Sequence, residues 1–535
     1  MDNEVKDKVY ILDTTLRDGA QRADISFSVG DKLQLIERFD DIGIDYIEVG
    51  FPASNPKEME LFEKLKGRKF DYSKIIAFGM TRYKNIKAEE DENIKQLVKS
   101  GADSVCIVGK SSALHAEKVI ETTLENNLNM IFDTIEYLKK YFPEVIFDAE
   151  HFFDGFKENP PYAIKTLKAA LTAGADYLVL CDTNGGMLPD DITEIIEKVK
   201  RGVKATLGVH FHNDSGCAVA NTLIAVKKGI KMVHGTINGY GERCGNADLC
   251  QIIPNLEIKF KKSCLKEGSL KHLTNLSRFV SETANQISNP GQPFVGRNAF
   301  THKGGMHVSG VSKIPKAFEH IDPEAVGNTR EILISELSGK KSIILKAKEF
   351  GINLENDLKK VSEILNRVQN LEHKGYQFEA ADGSFELLVK EITGLKKKFF
   401  KLESFRVLNE KKEDGRMLSE ATVKVEINGD RIIETAEGNG PVNALDSALR
   451  KAIESCYPAL SKITLTDFKV RVLNEKKGTG AVVRVLIESS DGEKSWGTIG
   501  VSENIIEASW QALEDSVMYG LMHVEKNENI KRETE

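Results

Sequence analysis

Two short segments, far apart in the chain, carry residue types that could build a metal centre. They are Leu12-Asp13-Thr14-Thr15-Leu16-Arg17-Asp18-Gly19 and His210-Phe211-His212-Asn213-Asp214. The first puts an Arg and an Asp just past a short apolar run, Val9 to Leu12, that reads as a buried strand. The second puts two His two residues apart on a strand, so both imidazoles project to the same side. One carboxylate and two imidazoles on one face make a three-ligand metal site with open positions for substrate oxygens. Arg17 beside them is a fixed cation where negative charge can develop. The chemistry this combination suits is metal-assisted carbon–carbon chemistry on a keto acid.

The expected ligands are therefore Asp18, His210 and His212, with Asn246 of the Gly-rich segment Gly239-Tyr240-Gly241-Glu242-Arg243-Cys244-Gly245-Asn246 completing the shell directly or through water. This donor set suits Mg²⁺, Mn²⁺, Co²⁺ or Zn²⁺. Arg17 needs its own anchor, and Glu48 at the end of a later strand is the candidate. Asp148 and Glu150 lie two apart on another strand and face one way, placed for acid–base work or substrate binding. Thr183 is placed to donate to a substrate carboxylate, and Gln21 and Glu48 join Asp148 and Thr183 in the substrate-binding set. His307, in the Gly-flanked His302-Lys303-Gly304-Gly305-Met306-His307, is a group that titrates near neutrality on a segment able to close over a site. His115, His234, His272 and His320 read as surface or core residues, and Cys181, Cys244 and Cys250 as packing thiols.

Strand-like runs fall at about 9–13, 44–50, 74–79, 103–108, 144–149, 176–181, 206–212 and 232–237, each followed by a helical stretch. Gly43, Gly101, Gly174 and Gly229 punctuate helix ends just before four of these runs. Eight such units fit a TIM (β/α)8 barrel over residues 1–260, with Arg17, Asp18, Glu48, Glu150, Asp182, Thr183, His210 and His212 at C-terminal strand ends, the catalytic face of that fold. An open doubly wound sheet would need a Gly-rich phosphate loop after an early strand, and none is present. Residues 261–384 read as a mainly helical subdomain. Residues 385–535 hold a repeat, Phe405-Arg406-Val407-Leu408-Asn409-Glu410-Lys411-Lys412 recurring as Val470-Arg471-Val472-Leu473-Asn474-Glu475-Lys476-Lys477. A strand pair and then a helix follow each copy, which suggests a pseudo-symmetric α+β module for ligand sensing or dimerisation.

The chain of 535 residues is too long for one core. A net charge of −7 argues against nucleic acid or a membrane surface as the main partner. The polar start, Met1 to Asp7, has no apolar signal region, and no apolar run is long enough to span a bilayer. Seven scattered Cys without a C-x-x-C pair suit a reduced, cytoplasmic setting.

These residues resemble the acyl-CoA-condensing branch of the DRE-TIM metallolyases, the isopropylmalate, homocitrate and citramalate synthases. The resemblance rests on Asp13 to Gln21, on His210-Phe211-His212-Asn213-Asp214-Ser215-Gly216, on Asn238 to Ala247 and on His302 to His307, and it spans nearly the whole chain. It implies that the metal chelates a 2-keto acid, that a base removes a proton from the methyl group of acetyl-CoA, and that Arg17 stabilises the alkoxide formed when the enolate attacks. Hydrolysis of the thioester then releases CoA. Glu150 and His307 of the partner subunit would work near the acetyl group, in a homodimer with subdomain exchange. The aromatic-rich Asp148-Ala149-Glu150-His151-Phe152-Phe153-Asp154-Gly155-Phe156 and the stretch Val108 to His115 resemble the branch that uses pyruvate, with Phe152 and Phe153 placed to shrink the pocket. The C-terminal repeats resemble an allosteric domain, for which isoleucine would be the effector. Arg330 stands where many relatives have Tyr. Alternatives are a larger keto acid, a lyase running the reverse cleavage, and an inactive amino-acid sensor.

Overall fold

A computed structural model describes residues 7–473 and 480–534, with side chains through 524. The chain forms two compact units, Met1–Phe300 with Ile321–Thr329, and Thr301–His320 with Arg330–Glu535.

The first unit is built on a closed barrel of eight parallel strands in sequential order. They are β1 (Tyr10–Asp13), β2 (Tyr46–Gly50), β3 (Lys74–Met80), β4 (Ser104–Lys110), β5 (Val145–Glu150), β6 (Tyr177–Asp182), β7 (Thr206–Phe211) and β8 (Met232–Gly235). β8 closes on β1 with Tyr10 opposite Met232 and Asp13 opposite Gly235. The apolar runs form strands because helices on the outside and side chains on the inside bury both faces; all five residues of β2 are buried. Gly43, Gly101, Gly174 and Gly229 all have positive φ, as helix-ending residues there require. Tyr10, Tyr46 and Tyr177, each at the start of its strand, form a ring with centroids 6.1–6.2 Å apart that plugs the N-terminal end of the barrel. The open end is therefore the C-terminal one. Residues beyond β8 continue in this unit as the helix Leu273–Thr283, whose Ser277 carbonyl accepts the side-chain amide of Asn238.

The second unit begins with two short paired strands, β9 (Thr301–His302) and β10 (Glu331–Ile332). Helices Gly305–Lys313, Lys340–Glu349, Leu358–His373 and Asp382–Thr393 follow the expected helical character. Two copies of one motif come next. Strands β11 (Lys401–Lys411), β12 (Met417–Ile427) and β13 (Asp430–Gly438) form an antiparallel sheet backed by the helix Pro441–Glu454. Strands β14 (Thr464–Val472), β15 (Val483–Ser490) and β16 (Ser495–Ser502) repeat it with the helix Ile505–Thr534. A bulge recurs at Leu402/Ser404 and at Leu465/Asp467. It makes Phe405 and Phe468 equivalent positions of the two copies, whereas the repeated octets match Phe405 to Val470, two residues further on. A shift of two keeps the in–out alternation, so both alignments present the same faces. Asn474 to Lys477 of the second octet lie outside the described residues.

Phe152 and Phe153, just past β5, are fully buried, and Phe153 packs on Phe211 of β7 at 5.4 Å between centroids. They belong to the barrel core. Phe153→Ala should lower the unfolding free energy of the barrel by about 3–5 kcal/mol, read from the urea midpoint; a change within error would mean that the site collapses around the deletion.

Candidate active site

Three strand ends and one loop bring the charged residues together. The segment after β1 turns sharply, with the amides of Arg17 and Gly19 both donating to the Thr14 carbonyl. That turn sends Arg17 across to β2, where its Nε donates to Glu48 Oε1 at 2.5 Å. A bulge at Glu48/Gly50 interrupts the β2–β3 ladder beside this contact. The Val49 carbonyl at the bulge accepts the ammonium of buried Lys32, which also pairs with Glu58 at 2.7 Å. The Arg17 guanidinium lies 3.9 Å from the centroid of the Phe78 ring, and its Nη1 lies 3.6 Å from Asp18 Oδ2. Burial by itself would favour loss of the proton, but the charges of Glu48 and Asp18 outweigh it and hold Arg17 firmly cationic.

His210, the last-but-one residue of β7, and His212 just beyond it turn their Nε2 atoms to Asp18. Asp18 Oδ2 is 3.2 Å from His210 Nε2 and 3.6 Å from His212 Nε2, and the two nitrogens are 3.3 Å apart. All three residues are buried. Donors ~2.1 Å from one ion, at angles between octahedral and tetrahedral, would be about 3.0–3.4 Å apart. Two of the three separations, 3.2 and 3.3 Å, fall in that range and the third, 3.6 Å, lies slightly above it, so a small shift of His212 toward Asp18 would let the triangle hold a divalent cation. Burial opposes the Asp18 charge, yet Arg17 and the His210 contact keep its carboxyl well below the usual range, so it is an anion. Burial and the neighbouring His210 push His212 down to about 4, which leaves it neutral with a lone pair free near pH 7.

Asn246 reaches the same point through the loop after β8. Residues His212 and Asn246 form an isolated backbone bridge, with Asn213 N donating to Gly245 O at 2.8 Å and Ala247 N to Phe211 O at 2.9 Å. The turn needs Gly245 at φ +90°, where a Cβ would lie 2.0 Å from the Gly239 carbonyl. Asn246 Nδ2 then donates to Asp18 Oδ2 at 2.9 Å, and its Oδ1 is buried without a partner among the described residues.

A cavity of about 310 Å³ opens over this cluster. Arg17, Asp18, Gln21, Asp148, Glu150, Thr183, His210 and His212 line it, with Phe78, Met80, Val108, Ile120 and Met130 as its apolar wall. Phe152 and Phe153 are not in that wall. The pocket is narrowed instead by side chains of β3, of β4 and of the segment after β4, because Phe152 and Phe153 point into the packing between helix and barrel. Asp148 is buried on the cavity floor, its carboxyl pushed up to about 7 by burial. Glu150 is ion-paired with Lys110, which β4 places directly opposite it in the register. The Thr183 hydroxyl accepts the His151 amide at 2.9 Å, and its carbonyl accepts Arg243 Nη2 at 2.8 Å.

Glu48 and Asn246 do not line the cavity but stand behind Arg17 and Asp18. His307 belongs to the second unit, on the helix Gly305–Lys313, exposed and packed against Phe318 at 4.5 Å between centroids. There Arg330 makes a two-pronged ion pair with Glu319 at 2.7 and 2.6 Å, and His302 contacts the same carboxylate at 3.0 Å.

Three contributors carry little signal in the sequence. Lys110 is two residues along β4 from Val108, a spacing that points it inward beside Glu150. Phe78 has no mark beyond being apolar. His234, read as surface or core, is fully buried inside the barrel, 3.8 Å from Asp148 and edge-on to His210. Cys181 also lines the cavity, with burial raising its thiol well above the ordinary range.

A closed parallel barrel with an Asp and two His converging at its C-terminal strand ends defines the class, and the chain belongs to the HMGL-like family, whose model matches residues 8–280. A homocitrate synthase post-HMGL domain-like model matches 294–376, and a LeuA allosteric (dimerisation) domain model matches 379–521. The chain is 52% identical to the (R)-citramalate synthase of Geobacter sulfurreducens, over 98% of this chain and 99% of that protein. It is also 52% identical to the (R)-citramalate synthase of Aquifex aeolicus, over 97% and 99%. The 2-isopropylmalate synthase of Methanocaldococcus jannaschii is 33% identical, over 96% and 95%.

Asp182 ends β6 and accepts the amides of Gly186 and Met187 at 3.3 and 3.0 Å, which folds the turn carrying Thr183. Burial pushes its carboxyl from 3.8 to about 6. The native state thus holds a proton that the unfolded chain releases, so this contribution is full below pH 3.8 and is lost as the pH rises through about 6. Asp182→Asn should flatten the stability–pH curve across that window in urea titrations at stepped pH; an unchanged slope would mean that Asp182 is not the group responsible.

Proposed function

We propose that this chain is a citramalate synthase, joining acetyl-CoA, pyruvate and water to give (R)-citramalate and CoA, the first step of a pyruvate route to isoleucine. The observation that carries the chemistry is the Asp18–His210–His212 triangle beside the buried Arg17 at the mouth of the barrel. The choice of pyruvate is supported by the identity to (R)-citramalate synthases across nearly the full length of both chains, well above that to the isopropylmalate synthase.

Residues 1–260 would be the catalytic barrel, 261–384 the subdomain and 385–535 the sensing domain. A divalent metal held by Asp18, His210 and His212, with Asn246 at its edge, would supply Lewis acidity toward the keto and carboxylate oxygens of the 2-keto acid. The chain's own groups do the rest. Arg17, fixed by Glu48 and Phe78, faces the oxygen on which charge develops as the new carbon–carbon bond forms. Thr183 and Gln21 offer hydrogen bonds to the acid's polar groups, and Asp148 forms the floor beneath them. Glu150, held at the wall by Lys110, and His307 of the partner subunit are assigned proton transfer at the acetyl methyl group and at the attacking water. The LeuA allosteric (dimerisation) match supports a homodimer with an allosteric C-terminal domain, and isoleucine, as the end product of the proposed route, is the effector assigned to it. A larger keto acid is the second reading, favoured by the 33% identity to an isopropylmalate synthase.

Thiol release from acetyl-CoA, measured with Mn²⁺ or Mg²⁺ against pyruvate, 2-ketoisovalerate and 2-ketoglutarate in parallel, should be fastest with pyruvate; preference for a larger acid would overturn the substrate, and no release with any would overturn the reaction. His212→Ala should abolish turnover while leaving the far-ultraviolet circular dichroism unchanged, and parental activity in that variant would remove the metal site. Isoleucine should slow thiol release by the full chain and fail to do so after removal of 385–535; inhibition that survives would place the sensor elsewhere.

A further inference from the structure

The loops carrying Asp18 and Asn246 are tied together behind the site, and we propose that Asp13 and Thr15 are positioning residues that set the spacing of the metal ligands through that tie. This deepens the metal-site reading above and rests on it. Asp13, the last residue of β1, turns both carboxylate oxygens to Thr15: Oδ1 accepts the Thr15 amide and Oδ2 accepts the Thr15 hydroxyl, each at 2.9 Å, and the Ile237 amide also lies close to this carboxyl. With its proton committed to Asp13, the Thr15 oxygen is left as an acceptor, and it takes the amide of Ile237 beyond β8 at 2.9 Å. Next to Ile237, Thr236 accepts the Leu249 amide and donates its own amide to Ala247 O at 3.1 Å, while its hydroxyl donates to Tyr240 O at 2.7 Å. Those bonds frame the turn that presents Asn246. Asn246 then donates to Asp18, five residues beyond Asp13, and closes the ring.

The barrel does not need this tie to close. Backbone pairing of β1 with β8 already runs from Tyr10 to Asp13, and the Thr14 amide extends it to the Gly235 carbonyl at 2.9 Å. What the Asp13–Thr15 bonds add lies past the end of that ladder, where the strands diverge into the two ligand loops. Asp13, Thr14, Thr15, Thr236 and Ile237 are all fully buried, so water does not compete for these bonds. A hydroxyl that donates to one loop and accepts from the other can be supplied by Thr or Ser but not by the isosteric Val. Groups that hydrogen-bond directly to metal ligands typically change metal affinity by about 10- to 100-fold when removed, and the Asp13–Thr15 tie reaches Asp18 through the turn that carries Asn246.

The test is Mn²⁺ binding to the full-length protein, free of substrate, followed by electron paramagnetic resonance. Thr15→Val should bind Mn²⁺ about 10- to 100-fold more weakly than the parent, and Thr15→Ser should return close to the parental affinity. Turnover at saturating Mn²⁺ should show a raised KM for the keto acid in Thr15→Val. If Thr15→Val lowers the thermal midpoint but keeps parental Mn²⁺ affinity, the tie is structural only and the proposal is wrong. Should Thr15→Val not fold, the same titration on Asp13→Asn decides by the same criterion. A parent that binds no Mn²⁺ would overturn the metal-site reading together with this one, whereas a binding parent with an unaffected Thr15→Val overturns this one alone.

Discussion

The buried ion pair between Arg17 and Glu48 is the constraint around which the rest of the site is arranged. A guanidinium withdrawn from water needs a carboxylate, a second negative neighbour and an aromatic face, and here Glu48, Asp18 and Phe78 supply them. Satisfying Arg17 fixes the rest in turn. The bulge in β2 leaves the Val49 carbonyl to Lys32, and Asp18 is held ionised where the two imidazoles converge. A barrel that packed hydrocarbon at these positions would gain stability and lose the arrangement that keeps an anion, a cation and two imidazoles within a few ångströms.

The polar groups that remain unpaired point the same way. His210 Nδ1, His212 Nδ1, Asp148 Oδ1 and both nitrogens of His234 are buried without hydrogen-bond partners among the described residues. Such groups each cost roughly 1–3 kcal/mol of desolvation. Others lie elsewhere, among them Ser104 Oγ and Glu144 Oε1 at the N-terminal end of the barrel, but the group beside the cavity is the local loss of stability that a binding site entails.

Much of this was legible in the sequence because period and punctuation carried it. Eight apolar runs, several announced by a helix-ending Gly, located the strands to within a few residues, and the H-x-H spacing placed His210 and His212 on one face. Less visible was anything that depends on register between strands distant in sequence. Lys110 pairs with Glu150 only because β4 and β5 align those two residues, and His234 looks like any apolar-flanked His until β8 closes against β1. The place of Phe152 and Phe153 after β5 suggested the pocket, but side-chain direction past a strand end is set by the helix that comes next. In the second unit the repeated octets announced the duplication, while the bulges that fix its structural register have no sequence signature.

The central claim is that Asp18, His210 and His212 hold one divalent cation. Electron spin echo envelope modulation of the Mn²⁺-loaded protein tests it most directly, because nitrogen nuclei bound to Mn²⁺ modulate the echo. One Mn²⁺ per chain is expected, with couplings from two imidazole nitrogens, reduced to one in His212→Ala. A bound Mn²⁺ that shows only water and carboxylate oxygen around it would contradict it.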